Sequence, residues 1–178
     1  MISPIVLIGL RCAGKSSVGR LLAKELKLDF VDLDEEISLH EGSGRSAGEL
    51  LEQLGEEPFR DLESVALARS LSRSELVLAA GGGALEREEN RSLLRGHARV
   101  VWLDAPDAEL LKRRALDGTL RPLLVGEDSA EELSLLGPSR RRIFEELAGS
   151  AFETGGGEIS ALAKDLAKGL RGEAGEDG

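Results

Sequence analysis

Eight residues near the start of the chain, Gly9-Leu10-Arg11-Cys12-Ala13-Gly14-Lys15-Ser16, have the types and spacing to hold phosphate. They satisfy G-x-x-x-x-G-K-[ST] in full, between an apolar strand-like run, Ile5 to Ile8, and an amphipathic segment. The glycines let the backbone curl so that successive N–H groups face one anion, and a following helix adds the positive end of its dipole. Lys15 is then placed to reach the outer phosphates of a nucleotide, and the Ser16 hydroxyl to ligate Mg²⁺. Cys12 has no His or second Cys near it in sequence, so it reads as a small loop residue rather than a nucleophile.

A phosphate loop identifies a nucleotide site and not a reaction, so the acceptor chemistry must come from elsewhere. Asp32-Leu33-Asp34 closes a second strand-like run. Carboxylates at i and i+2 of a strand fall on one side, and the ends of parallel strands open onto the ligand crevice. One carboxylate there suits water around Mg²⁺, and the other suits the orientation of an attacking hydroxyl. The competing role is structural, with Asp34 capping a helix begun by Glu35-Glu36-Ile37. Gly81-Gly82-Gly83 follows a third apolar run, where a bare backbone can approach a ligand and donate N–H groups.

These residues need a scaffold, and the rest of the chain supplies its pattern. Apolar runs at Ile5 to Ile8, Phe30 to Leu33, Leu76 to Ala80, Arg99 to Leu103 and Ala151 to Glu153 read as five buried strands. Between them lie helical faces: Val18, Leu21, Leu22 and Leu26; Leu50, Leu51 and Leu54; Leu62, Val65, Ala66 and Leu71; Leu110, Leu111 and Ala115; and Ile159 to Leu170. Alternating strands and helices imply a parallel sheet covered on both faces. The 178 residues fit one α/β domain spanning 1–171, with no internal repeat or linker. Leu116 to Ser129, carrying Gly118, Pro122 and Gly126, reads as a long mobile loop, and the Gly- and acid-rich 172–178 as a disordered tail.

A net charge of -10 argues against a nucleic-acid partner, although it says nothing against a local phosphate site. One cysteine excludes an internal disulfide. With no basic leader and no apolar run of membrane-spanning length, the expectation is a cytoplasmic protein with no membrane partner. The absence of a long exposed apolar stripe points to a monomer.

Taken together, the separated motifs resemble those of shikimate kinase. The likeness runs from about Ile5 to Thr154. It rests on the loop continuing into Ser17-Val18-Gly19-Arg20-Leu21-Leu22-Ala23, on Phe30 to Ile37, and on Phe59-Arg60 with Glu63. It continues through the glycine triplet and Arg121-Pro122-Leu123-Leu124 to Arg140 with Phe144-Glu145-Glu146-Leu147-Ala148. The resemblance implies a three-layer α/β/α kinase fold, with a five-stranded parallel sheet in the order 2-3-1-4-5 and a lid near 116–129. It implies transfer of phosphate from ATP to shikimate, with Mg²⁺. Gly9 and Arg11 to Ser17 would cradle ATP, Arg114 would lie over the adenine, and Arg121 would swing in with the lid. Asp34, Arg60, Gly82, Gly83 and Arg140 would hold shikimate, with Asp34 as the candidate base and the two arginines on the carboxylate. Asp32 would sit near Mg²⁺, through water. Arg141 and Arg142 leave the last assignment open by a residue, and the spacing from Arg121 favours Arg140. Arg11 and Cys12 stand where smaller residues are usual, and Phe144 where Tyr is common. Two other readings remain: a different small-molecule kinase of gluconate type, and a catalytically silent domain that senses a small acid.

Overall fold

A computed structural model describes residues 3–41, 44–118 and 122–173. β1 (Ile5–Ile8) leads into α1 (Lys15–Leu26), and β2 (Asp29–Asp32) into α2 (Leu33–His40). α3 (Ala47–Leu54) and α4 (Glu56–Leu71) precede β3 (Leu76–Ala79). A single 3-10 turn, Ala84–Glu86, leads to α5 (Glu88–His97), β4 (Arg99–Asp104), α6 (Asp107–Leu116) and α7 (Ser129–Ala148). The chain then forms β5 (Ala151–Glu153) and α8 (Ile159–Glu173). All five strand-like runs become strands.

The strands form one parallel sheet in the order β2-β3-β1-β4-β5, with helices on both faces. β1 and β3 are its middle, and every residue of both is buried. That is why they read as unbroken apolar runs, without the alternation of a half-exposed strand. The register Ile5↔Val77 and Ile5↔Arg99 brings the ends of β1, β3 and β4 to one edge. The core is aliphatic, built from residues such as Leu7, Ile8, Leu22, Leu67, Leu78 and Leu103, and Phe144 is its largest fully buried side chain. One close approach is specific: a Cβ on Gly19 of α1 would lie 2.5 Å from the Phe30 ring and 3.0 Å from Leu7, so only glycine lets α1 settle this near β1 and β2.

Helix ends are set by local chemistry. Asp32 caps α2 by accepting the Asp34 backbone N–H, Ser46 and Glu49 form a reciprocal capping box on α3, and Asp128 caps α7. The cap of α2 departs from the sequence expectation. The strand stops at Asp32 and Leu33 already begins the helix, so Asp32 rather than Asp34 is the capping residue. α7 continues through an internal proline, Pro138. α8 runs to Glu173, two residues into the segment read as a tail, and residues 174–178 lie outside the described residues.

Candidate active site

β1, β2, β3 and β5 lead at their C-terminal ends into residues that line one cleft of about 700 Å³. β1 delivers the phosphate loop. Gly9 (φ 149) has backbone where a Cβ would lie 2.1 Å from the Leu103 carbonyl oxygen, and Gly14 (φ 94) turns the chain into α1. Cys12 takes a left-handed conformation (φ 64) that a side chain rarely adopts, the local cost of having cysteine where glycine is usual. Burial, reinforced by Asp117, pushes its thiol upward, which keeps the proton on and makes it a poor nucleophile. Lys15 Nζ donates to the carbonyls of Gly9 and Leu10, 2.9 Å each, so the lysine lies along the loop it is to serve. Arg11, Ser16 and Ser17 also line the cleft, whereas Gly9 and Ala13 shape the loop from behind.

The loop is braced from the far side of the sheet by two residues that sequence reasoning passed over. Thr154, immediately after β5 and 2% exposed, has its hydroxyl 2.9 Å from the Ala13 carbonyl. Arg113 donates to the Cys12 carbonyl at 3.3 Å and to Thr154 Oγ1 at 3.2 Å, and Glu109 holds its Nε at 2.9 Å. No residue type announces such a brace, because its contacts with the loop are made to the backbone carbonyls of Cys12 and Ala13. Arg114, its neighbour, points elsewhere: it pairs with Glu132 of α7 at 2.6 Å, and it does not line the cleft. Glu132 also accepts the Leu124 backbone N–H at 2.7 Å, tying the 122–124 segment to α6 and α7. Pro122 and Leu124 reach the cleft. Arg121 lies outside the described residues.

Asp32 and Asp34 are together for a reason other than strand alternation. The Asp32 carboxylate accepts the Ser16 hydroxyl through one oxygen and the Asp34 N–H, at 3.1 Å, through the other. The turn into α2 thus sets Asp34 into the cleft one step beyond the serine.

The acceptor end is a cluster of opposed charges. Arg60 is 5% exposed, with Glu63 at 2.6 Å, Glu56 at 3.0 Å and Glu86 at 3.5 Å. Glu63 is itself buried. Burial drives its carboxyl up to about 7, against the pull of Arg60 and with a push from Asp34. Burial acts to lower the Arg60 guanidinium, but its carboxylate neighbours, Glu63 first, outweigh that and hold it above the usual value. Arg140 Nε donates to the other oxygen of Glu86 at 2.8 Å. Of the three consecutive arginines, Arg140 is the one that lines the cleft; Arg141 pairs with Asp104 and Asp107, and Arg142 is exposed. The glycine triplet closes this end. A Cβ on Gly83 would lie 2.0 Å from Arg60 Nη1, and one on Gly82 would meet the Phe144 ring at 3.7 Å and Arg140 Cδ at 3.9 Å. Glu86, absent from the residues singled out by sequence, sits at the end of the 3-10 turn that the triplet initiates.

A cleft with a phosphate cradle at one end and paired guanidiniums at the other can bring a nucleotide and a small acid face to face. Known proteins agree with that description. A model of the shikimate kinase family matches residues 11–171. The chain is 40% identical over 169 residues to a shikimate kinase of Legionella pneumophila (strain Paris), covering 95% of each. Its fold matches a shikimate kinase from Acinetobacter baumannii in complex with shikimate, with a TM-score of 0.88 and 35% identity, covering 97% of this chain and 95% of that one. A gluconokinase from Sinorhizobium meliloti shares the fold alone, at 19% identity and a TM-score of 0.54, covering 96% of this chain and 97% of that one.

Proposed function

The chain belongs to the shikimate kinase family, and from that premise we propose that its cleft transfers the γ-phosphoryl group of ATP to the 3-hydroxyl of shikimate, giving ADP and shikimate 3-phosphate. The observation that carries this reading is that one cleft is lined by Lys15, Ser16 and Asp32 at one end and by Asp34, Arg60, Gly82, Gly83 and Arg140 at the other. The likeness to a gluconokinase extends to the fold only, at 19% identity, whereas the likeness to shikimate kinases extends to the sequence at 40% identity over 169 residues.

In this reading the backbone of Gly9 to Ser17 cradles the phosphates, and Lys15 leaves the Gly9 and Leu10 carbonyls to meet their outer oxygens. The Ser16 hydroxyl and Asp32 carboxylate, which already touch, are hard oxygen donors of the kind Mg²⁺ takes together with its own water. Bound there with ATP, the ion supplies neutralising charge. Arg60 and Arg140 fix the substrate carboxylate, and Gly82 and Gly83 let the ring approach the backbone. Asp34 orients the acceptor hydroxyl. As the acceptor oxygen bonds to the γ-phosphorus and the bond to the bridging oxygen of ADP breaks, the hydroxyl proton passes to Asp34. The segment near 116–129 serves as the lid that excludes water, which would otherwise take the phosphate, with Arg121 added to the phosphates on closure. Arg114 reaches the adenine only by leaving Glu132, so its role belongs to the closed state.

All these groups come from one chain, so a monomer suffices. The same reading makes the protein a cytoplasmic enzyme of aromatic amino acid synthesis with no nucleic-acid partner. Among the described residues no helix is long and apolar enough to cross a membrane.

The test is ADP release with ATP, Mg²⁺ and shikimate, run beside gluconate and nucleoside monophosphates. Turnover specific to shikimate, abolished in Asp34→Asn with ATP binding retained, is the expected result. Tight shikimate binding with no turnover in the wild type would instead make this a sensing domain.

A further inference from the structure

The two arginines assigned to the substrate carboxylate already share a carboxylate. Glu86 places Oε1 2.8 Å from Arg140 Nε and Oε2 3.5 Å from Arg60 Nη2. Of the three glutamates around Arg60 it bridges both guanidiniums. Glu63 touches Arg60 and is 3% exposed at its side chain, while Glu56 meets Arg60 from the solvent side. The bridge is also imperfect. Arg140 Nη2 lies 2.8 Å from the same Glu86 oxygen, yet it is buried and makes no well-directed hydrogen bond. A guanidinium edge that offers two parallel donors is thus engaged through one.

We propose that Glu86 is a built-in occupant of the substrate's carboxylate site: it holds Arg60 and Arg140 together while the site is empty and must leave before the substrate carboxylate binds. The inference rests on the reading of those arginines as the carboxylate clamp. The charges favour such an exchange, because Glu56 and Glu86 already balance the two guanidiniums and leave no positive charge to spare for an arriving carboxylate.

The local structure lets one side chain do this without moving the backbone. Asn90 Nδ2 donates to the Ala84 carbonyl at 2.7 Å, and Arg91 Nη1 donates to the carbonyls of Leu85 and Glu86 at 2.7 and 2.8 Å. The 3-10 turn is therefore pinned while the Glu86 side chain, 34% exposed, has solvent to rotate into. Glu86 is then a positioning residue with two opposed effects. It preorganises two like charges, and it makes every anion that enters compete with an internal one. An anion that engages only one guanidinium does not displace it, so the exchange favours a ligand whose carboxylate is carried into register by the rest of its contacts.

The test compares wild type with Glu86→Gln and Glu86→Ala, using shikimate and its methyl ester as acceptors and the KM for ATP as a check on folding. Loss of a partly exposed ion pair corresponds to about a fivefold change, so the KM for shikimate is expected to fall about fivefold in both variants. The KM for the ester, which has no carboxylate to compete, should stay where it is. Damage to the clamp would move the KM for shikimate the other way. An unchanged or raised KM for shikimate, with the wild type still penalising the ester, overturns the role of Glu86 and leaves the clamp standing. Wild-type enzyme that uses the ester as well as shikimate overturns the clamp itself, and the role of Glu86 with it.

Discussion

At the scale of single residues, the acceptor end shows what it costs to keep charge inside. Glu63 is buried beside Arg60 and within the field of Asp34, and its carboxyl is raised to about 7 from 4.5. The native chain therefore keeps this proton through a pH range in which the unfolded chain has released it. Where the native state binds more protons, stability falls as pH rises. The loss lies between about pH 4.5 and 7 and is on the order of 3 kcal/mol for a shift of this size. Urea midpoints measured at intervals from pH 4.5 to 8 should show that decline in the wild type and a flatter curve in Glu63→Gln, which has no proton to lose. Parallel curves for the two proteins would mean that the buried carboxylate titrates normally.

At the scale of elements, β5 is short and lies at the edge of the sheet, yet it reaches the nucleotide loop through Thr154. Thr154→Val keeps the shape and removes the hydroxyl, leaving the Ala13 carbonyl and one Arg113 donor without that partner. The expected loss is about 1–2 kcal/mol of stability. Because the orphaned groups belong to the loop, the KM for ATP should rise several-fold while that for shikimate holds. If both constants stay put as stability drops, Thr154 is a brace for the fold alone.

The same elements show how far sequence could be read. Strands and their order in the chain were legible because β1 and β3 are buried on both faces and carry no polar residue. The phosphate loop was legible because its chemistry fixes residue types at fixed spacing. α4 was misjudged in detail. Periodicity picked Val65 for the inner face, but Val65 is 52% exposed, and Arg60 and Glu63 are the residues turned inward. A helix that lines a polar site breaks the apolar pattern where it matters most. Asp32 and Asp34 were rightly paired for a wrong reason, since a strand pattern and a helix cap put the same two residues in the cleft. Glu86, Arg113 and Thr154 had no signal, because their partners are distant in sequence.

At the scale of the whole molecule, a chain of net charge -10 must bind two anionic substrates, and it does so by concentrating its cations. Lys15, Arg11, Arg60, Arg113 and Arg140 all line the one cleft. Long-range attraction gives the substrates no help, so binding relies on contacts made after entry. Ligand should therefore stabilise the fold directly. At a hundredfold excess over Kd, ATP analogue with Mg²⁺ adds about 2.7 kcal/mol, or roughly 5–10 °C in Tm for a chain of this length. A thermal shift absent with nucleotide would show that the cradle is empty of function, whatever its geometry.

Pro138 stands in the middle of α7, whereas Pro58 of α4 lies in that helix's first turn. A proline inside a helix removes one backbone hydrogen bond, so bending is easiest there. On one side of it stands Glu132, grasping Leu124 and Arg114, and on the other stands Arg140 at the acceptor end. The two ends of the cleft are joined by a rod with a soft joint. Phe144, further along, is locked in the core, so bending at the proline falls on the half that carries Glu132. A bend of that half leaves untouched the packing that holds the domain together.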